Sequence, residues 1–157
     1  MLFRSVEGNL LFDAANGNGV KLGGPDRDSG GAARVTVRHN TIVDTVQSVL
    51  IAWGAHDNLV QGNLMAGAGP GYALVRGFEL DGEANVIRDN TGWGATNVVA
   101  SDEGFRGVID EGNRLVQGIR GTGFTSTGSC NGYLPPADLG AVGHPVYEGG
   151  AVWRDRR

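Results

Sequence analysis

One spacing of apolar and polar positions recurs along the chain: an apolar residue, two further positions, an asparagine, then a short apolar or β-branched run. It occurs as Val6-Glu7-Gly8-Asn9, Val37-Arg38-His39-Asn40, Val60-Gln61-Gly62-Asn63 and Ile87-Arg88-Asp89-Asn90. A looser copy with one extra residue is Ile109-Asp110-Glu111-Gly112-Asn113. Successive asparagines stand 31, 23, 27 and 23 residues apart. The runs that follow them are Leu10-Leu11-Phe12, Thr41-Ile42-Val43, Leu64-Met65-Ala66, Thr91-Gly92-Trp93 and Arg114-Leu115-Val116. A further apolar stretch comes later in each unit, as in Val20-Lys21-Leu22, Val49-Leu50-Ile51, Ala73-Leu74-Val75 and Val98-Val99. β-branched residues favour strands, and Gly, Asn and Asp mark the turns between them. Each unit therefore predicts three short strands. Residues 32–53 lack glycine, but their density of Val, Thr and Ile makes a poor helix, and Val35 and Val37 alternate with Thr36 and Arg38 at strand period.

A unit of this size cannot bury its own apolar face, so the units must stack. Stacking at the strand spacing of about 4.8 Å gives about five coils and a height of roughly 24 Å. Asparagine suits a coil corner. It tolerates left-handed backbone, and its amide both donates and accepts, so asparagines on successive coils can bond along the stack. A leucine-rich repeat has a similar period, but it wants an apolar residue eight positions before each asparagine. Ala32, Ala55 and Gly82 stand there, and Asn58 and Asn85 occupy a second position that should be apolar. Neither the six-residue period of a left-handed β-helix nor a recurring Gly-Gly-x-Gly-x-Asp calcium roll is present. The predicted fold is all-β, a parallel β-helix over residues 6–118, preceded by a non-native or disordered leader at 1–5 and followed by an irregular C-terminal cap or strap at 119–157.

The phrases Gly8-Asn9-Leu10-Leu11, His39-Asn40-Thr41-Ile42 and Asn58-Leu59-Val60-Gln61-Gly62-Asn63-Leu64 resemble the pectate-lyase-like superfamily, and most of all its right-handed parallel β-helix repeat proteins. The resemblance implies a right-handed solenoid and an extracellular or cell-surface, carbohydrate-related role: binding or processing a polysaccharide along the stacked strands. The alternative is a non-catalytic structural or adhesion scaffold. It also implies the chemistry to look for: a polysaccharide lyase, in which an arginine acts as base beside carboxylate-bound Ca²⁺, or a glycoside hydrolase.

Composition narrows this picture only at its edges. Twenty-eight glycines oppose long helices, and the net charge of −4 gives no electrostatic grip on nucleic acid. No stretch of about 18 apolar residues is present to span a membrane. Cys130 is the only cysteine and has no internal disulfide partner. Val6 opens the first coil without an amphipathic cap before it, which predicts the C-terminal part of a longer solenoid and end-to-end self-association through that coil.

Stacking converts the repeat into columns of side chains. One outward column holds Glu7, Arg38, Gln61, Arg88 and Glu111, with Arg38 and Arg88 two coils apart. Its members either pair across a solvated face or bind a ligand, with Arg88, Gln61 and the nearby Trp53 as substrate contacts. Asp13 and Asp44 lie four residues after their asparagines. In register they would place two carboxylates about 5 Å apart, able to hold Ca²⁺ or to act as an acid/base pair with Arg38 or His39 nearby. The same corner carries Gly67 and Gly94 in the next units, which fits turn chemistry alone. Acidic residues also recur in the loops between coils, at Asp26, Asp28, Asp57, Glu79, Asp81, Glu83, Asp102 and Glu103.

Overall fold

The computed structural model describes residues 4–24, 26, 28, 31–67, 72–78, 80, 85–101 and 106–116. These form strands β1 (Arg4–Glu7), β2 (Leu10–Leu22), β3 (Val35–Arg38), β4 (Thr41–Ala52), β5 (Leu59–Gln61), β6 (Leu64–Ala66), β7 (Val75–Phe78), β8 (Asn85–Arg88), β9 (Thr91–Trp93), β10 (Val99–Ser101), β11 (Val108–Glu111) and β12 (Arg114–Leu115), with no α-helix among the described residues. Every strand pairing is parallel. The molecule is an all-β parallel solenoid.

A first sheet runs β1-β3-β5-β8-β11. A second sheet wraps the other two faces in the order β10-β7-β4-β6-β9-β12, with β2 on β4. Its second-face register is Leu10↔Thr41↔Leu64↔Thr91↔Arg114, and its third-face register is Val20↔Val49↔Val75↔Val99. The three strands expected of each unit are not always separate. In β2 and β4 the second and third run on as single strands of 13 and 12 residues that bend at the corner. The β2–β4 register slips between Ala14 and Asn18.

The solenoid makes about three turns, not five. Among the described residues, the turns built on β3, β5 and β8 have neighbours on both sides, whereas β1–β2 and β11–β12 pair on one side. β1 begins at Arg4, inside the stretch expected to be a leader. Residues 117–157, which include the expected cap, lie outside the described residues.

Inside the coils Val37, Ile42, Val49, Ile51, Val60, Met65, Leu74, Val75 and Ile87 are completely or almost completely buried. Each fully buried side chain of this size contributes about 1.5–3 kcal/mol. One inward column of the first sheet reads Val6, Val37, Val60, Ile87 and then Asp110. The extra residue of the last unit thus moves Ile109 to the outward column, where it is 40% exposed, and puts a carboxylate where the apolar column would continue.

The coil corners are built from left-handed backbone. Gly8, His39, Gly62, Asp89 and Gly112 have φ of 68°, 52°, 61°, 55° and 63°, each immediately before a repeat asparagine. A second corner uses Asp44, Gly67 and Gly94 at 54°, 72° and 69°. A third uses Arg34, Asp57 and Gly107 at 56°, 54° and 74°. Gly and Asp recur at all three corners because they meet the conformation at low steric cost.

Candidate functional site

The asparagine amides inside the solenoid are occupied by hydrogen bonds of the fold itself. The backbone N–H groups of Asn9, Asn40, Asn63 and Asn90 donate to Oδ1 of the next asparagine in the column at 3.0, 2.9, 2.9 and 2.9 Å. The corresponding Nδ2 groups donate to the same oxygens at 3.0, 3.0, 2.9 and 2.8 Å. Each Nδ2 of Asn40, Asn63, Asn90 and Asn113 also reaches back one coil, to the carbonyls of Val6, Val37, Val60 and Ile87. Asn40, Asn63 and Asn90 are 0% exposed. Their amides are spent on the stack and have nothing to offer a ligand.

A second ladder stands at the corner between the third face and the first sheet. Asn58 Oδ1 accepts from Val35 N at 2.9 Å, and Asn85 Oδ1 accepts from Asn58 N and Nδ2 at 3.3 and 2.9 Å. Asn58 Nδ2 donates to the Ala32 carbonyl, and Asn85 Nδ2 to those of Ala55 and Gly107. Sequence reasoning met Asn58 and Asn85 as misfits to a leucine-rich repeat and did not read them as a ladder. Their 27-residue separation, equal to that of Asn63 and Asn90, was the available signal.

The expected outward column is in register: Glu7↔Arg38↔Gln61↔Arg88↔Glu111. Arg38 Nε sits 2.8 Å from Glu7 Oε1, with the two side chains 47% and 40% exposed. Gln61 accepts from Arg88 Nη2 at 3.4 Å and donates to Asp89 Oδ2 at 3.3 Å. Arg88 Nε is buried and makes no hydrogen bond, its closest carboxylate oxygen being Asp89 Oδ2 at 4.0 Å. The column therefore pairs Arg38 with Glu7 and Arg88 with Gln61.

Asp13 and Asp44 are opposite one another in the strand path, since Phe12 and Ala14 pair with Val43 and Thr45. The side chain of Asp13 lies outside the described residues. Asp44 is half-buried at a left-handed corner, and its Oδ1 overhangs Gly67 so closely that a Cβ there would meet it at 2.7 Å. His39 does the same at its own corner: its imidazole overhangs Gly62, 3.2 Å from where a Cβ would be. Arg38 and His39 stand at one end of the strand Thr41–Val43 and Asp44 at the other, so these residues belong to two different corners about 10 Å or more apart. Among the described residues no group of three or more His, Cys, Asp and Glu side chains is placed to hold a metal ion. Of the acidic loop series, Asp26, Asp28 and Asp57 are exposed. Asp57 accepts from His56 Nδ1 at 3.1 Å and lies 4.0 Å from Arg34 Nε. Glu79, Asp81, Glu83, Asp102 and Glu103 lie outside the described residues.

Trp53 belongs to a different surface. The outward residues of the third face stack as Lys21↔Leu50↔Arg76↔Ala100. Lys21 Nζ is 4.2 Å from the centre of the Trp53 ring, and Trp53 meets Phe78 edge to face at 5.8 Å and 87°. Arg76 lies 5.3 Å from the Phe78 ring and 6.0 Å from the Tyr72 ring, and Tyr72 is 41% exposed. The result is a band of three aromatic rings and two cations crossing adjacent coils. Of its members, the sequence reading marked only Trp53. Lys21 precedes Tyr72, Arg76 and Phe78 by 51 residues or more, and only the register brings it beside them.

The fold and its surfaces define a parallel β-solenoid with asparagine-laddered corners. The chain matches no family model, no curated protein and no solved structure.

Proposed function

We propose that this solenoid binds a polysaccharide, with the band of Lys21, Trp53, Phe78, Arg76 and Tyr72 on the third face as its contact surface. The observation that carries this reading is the clustering of three rings beside two cations on the third face. Aromatic side chains present a rigid apolar body at small entropic cost, which suits the apolar faces of sugar rings. The band crosses successive coils along the stack, which suits an extended ligand. Resemblance of the asparagine repeat to pectate-lyase-like β-helices points to the same ligand class, by analogy of fold. Binding without turnover fits the residues best, because the acid, base and carboxylate candidates Asp44, Arg38 and His39 stand at two separate corners.

A glycan array followed by titration calorimetry on the ligands it retains tests the proposal. Trp53→Ala and Tyr72→Ala are each expected to weaken binding by ~1–2 kcal/mol, the usual cost of truncating an aromatic contact residue, with an unchanged far-ultraviolet spectrum. Arg38→Ala, on another face, is expected to leave binding unchanged. Retention of no glycan at any concentration would leave the scaffold reading in its place. Formation of unsaturated products from a uronic-acid polysaccharide, followed by absorbance with and without Ca²⁺, would instead establish a lyase.

A further inference from the structure

The outward positions of the three faces are buried to different depths. On the first sheet they stack as Thr36↔Leu59↔Val86 and are half-buried. On the third face Leu50, Arg76 and Ala100 are half-buried too. A side chain in an outward column has neighbours above and below it, and solvent over its tip. The second face departs from this. Ile42 and Met65 belong to the central core, and strand alternation turns the residues on either side of them outward. Those residues stack as Thr41↔Leu64↔Thr91 and Val43↔Ala66↔Trp93. All six are buried: Thr41, Val43, Leu64 and Ala66 completely, and Trp93 to 6% exposure. Val43, Leu64, Ala66 and Trp93 form an apolar cluster separate from the core, with Val116 packed against it. Val116 is the next residue of the same column, because Leu115 pairs with Gly92. At Leu115 the exposure is inverted. It continues the inward column Ile42↔Met65↔Gly92, yet it is 42% exposed at the end of the stack. A layer therefore lies over the side of the second face and not over the end of the last coil.

We propose that the C-terminal segment, residues 117–157, is that layer: a strap running from Val116 back across the outward side of the second face. The chain leaves Val116 from within the column that is covered. Val43 stands three coil spacings from Val116, about 14 Å, a distance that roughly five extended residues span. The segment has 41 residues, ample to cross the face and return. Residues 68–71, at one corner of the face, are too few to cover six positions on three coils. Phe124, Tyr133, Leu134, Val146 and Tyr147 give the segment apolar side chains to lay against Val43, Leu64, Ala66 and Trp93, and the contact removes both sets from water. With the second face closed, a polymer lying along the coils has the first and third faces to follow.

Cys130 is the chain's one cysteine and lies within the segment, so a benzophenone maleimide attached to it puts a photoreactive group on the strap of the full chain. Illumination followed by fragmentation mass spectrometry is expected to give adducts within the same chain at residues 41–43, 64–66 or 91–93, in a yield independent of protein concentration. Val43→Thr keeps the shape of the side chain and puts a hydroxyl under the strap. It is expected to speed chymotryptic cleavage after Phe124 and Tyr133 about tenfold, with the sheet signal in circular dichroism unchanged. Val86→Thr, the same change at a half-buried outward position of the first sheet, is expected to leave that rate as it is. Adducts confined to the first sheet or to residues 108–115, or no adduct with the second face, would overturn the proposal. Adducts between chains that fade on dilution would overturn it in favour of a second copy as the cover. Equal cleavage rates in the two variants would overturn it as well.

Discussion

The asparagine ladders and the outward column of the first sheet are both polar columns repeated at the coil spacing, and they begin two residues apart in every unit. Asn63 and Gln61 show the difference. Asn63 is 0% exposed, accepts two hydrogen bonds from Asn40, and donates to Asn90 and to the Val37 carbonyl. Gln61, with one more methylene and the opposite orientation, makes an exposed hydrogen bond to Asp89 at 3.3 Å and a part-buried one to Arg88 at 3.4 Å. The inner amide has no alternative partner once the coil closes, so losing it strands several backbone groups. The outer one exchanges its partners for water. Position relative to the corner decides whether a polar side chain is structure or surface.

The largest effect is therefore expected inside. Asn63→Ala removes the acceptor of two bonds and the donor of two more, leaving Asn40 N, the Val37 carbonyl and Asn90 Oδ1 short of partners in the interior. Each buried group left unsatisfied costs about 1–3 kcal/mol, so a loss of ~3 kcal/mol or more is expected in urea unfolding. Gln61→Ala, the outer counterpart, should cost under ~0.5 kcal/mol. Similar midpoints for the two variants would sink the distinction between the columns.

The inner ladder was legible in the sequence because its requirement is strict and local. One residue type must recur after one corner, and the spacing survives insertions elsewhere in the coil. The parallel sheets followed from it, since β-branched runs flank each corner. The second ladder has only two described asparagines, Asn58 and Asn85, its outer rungs being Val35 and Val108, so the pattern was too short to stand out. The number of turns was overstated because a repeat is visible in sequence even where a terminal unit pairs on one side only. The last unit also misled by one residue: the apolar match at Ile109 looked inward, but Gly112 takes the corner, and counting back from it puts Asp110 in the core column. The aromatic band was illegible for a different reason. Its residues come from three coils, at different offsets from the asparagine, and no period links them.

An intermediate effect is expected at the corner itself. His39 holds φ of 52° with a bulky side chain, a conformation that costs a non-glycine residue roughly 1–2 kcal/mol, whereas the equivalent positions in the flanking coils are Gly8 and Gly62. His39→Gly removes that strain, gives up the contact of the imidazole over Gly62, and loosens the unfolded chain. The balance is expected within ~1 kcal/mol of the parent protein and towards stabilisation. If His39 instead served as an acid or base, stability would hold while any glycan turnover disappeared. Thermal unfolding and a product assay on the same variant separate the two.

The smallest effect belongs to the outward ion pair of Glu7 and Arg38. Its 2.8 Å contact is short, but both side chains are nearly half exposed and the pair joins the first coil to the second at a sheet edge. Water screens such a pair and competes for its hydrogen bonds, and holding two long side chains in one geometry costs entropy, so exposed pairs contribute about 0.2–1 kcal/mol. A double-mutant cycle with Glu7→Gln and Arg38→Gln isolates the pair from what each residue does alone. The coupling should fall in that range at low salt and shrink as ionic strength rises and the screening length drops towards ~3 Å at 1 M. A coupling above ~2 kcal/mol that ignored salt would place Glu7 and Arg38 in a desolvated environment, contrary to their exposure. The outward column would then act as structure, as the ladder does, and burial would no longer separate the two.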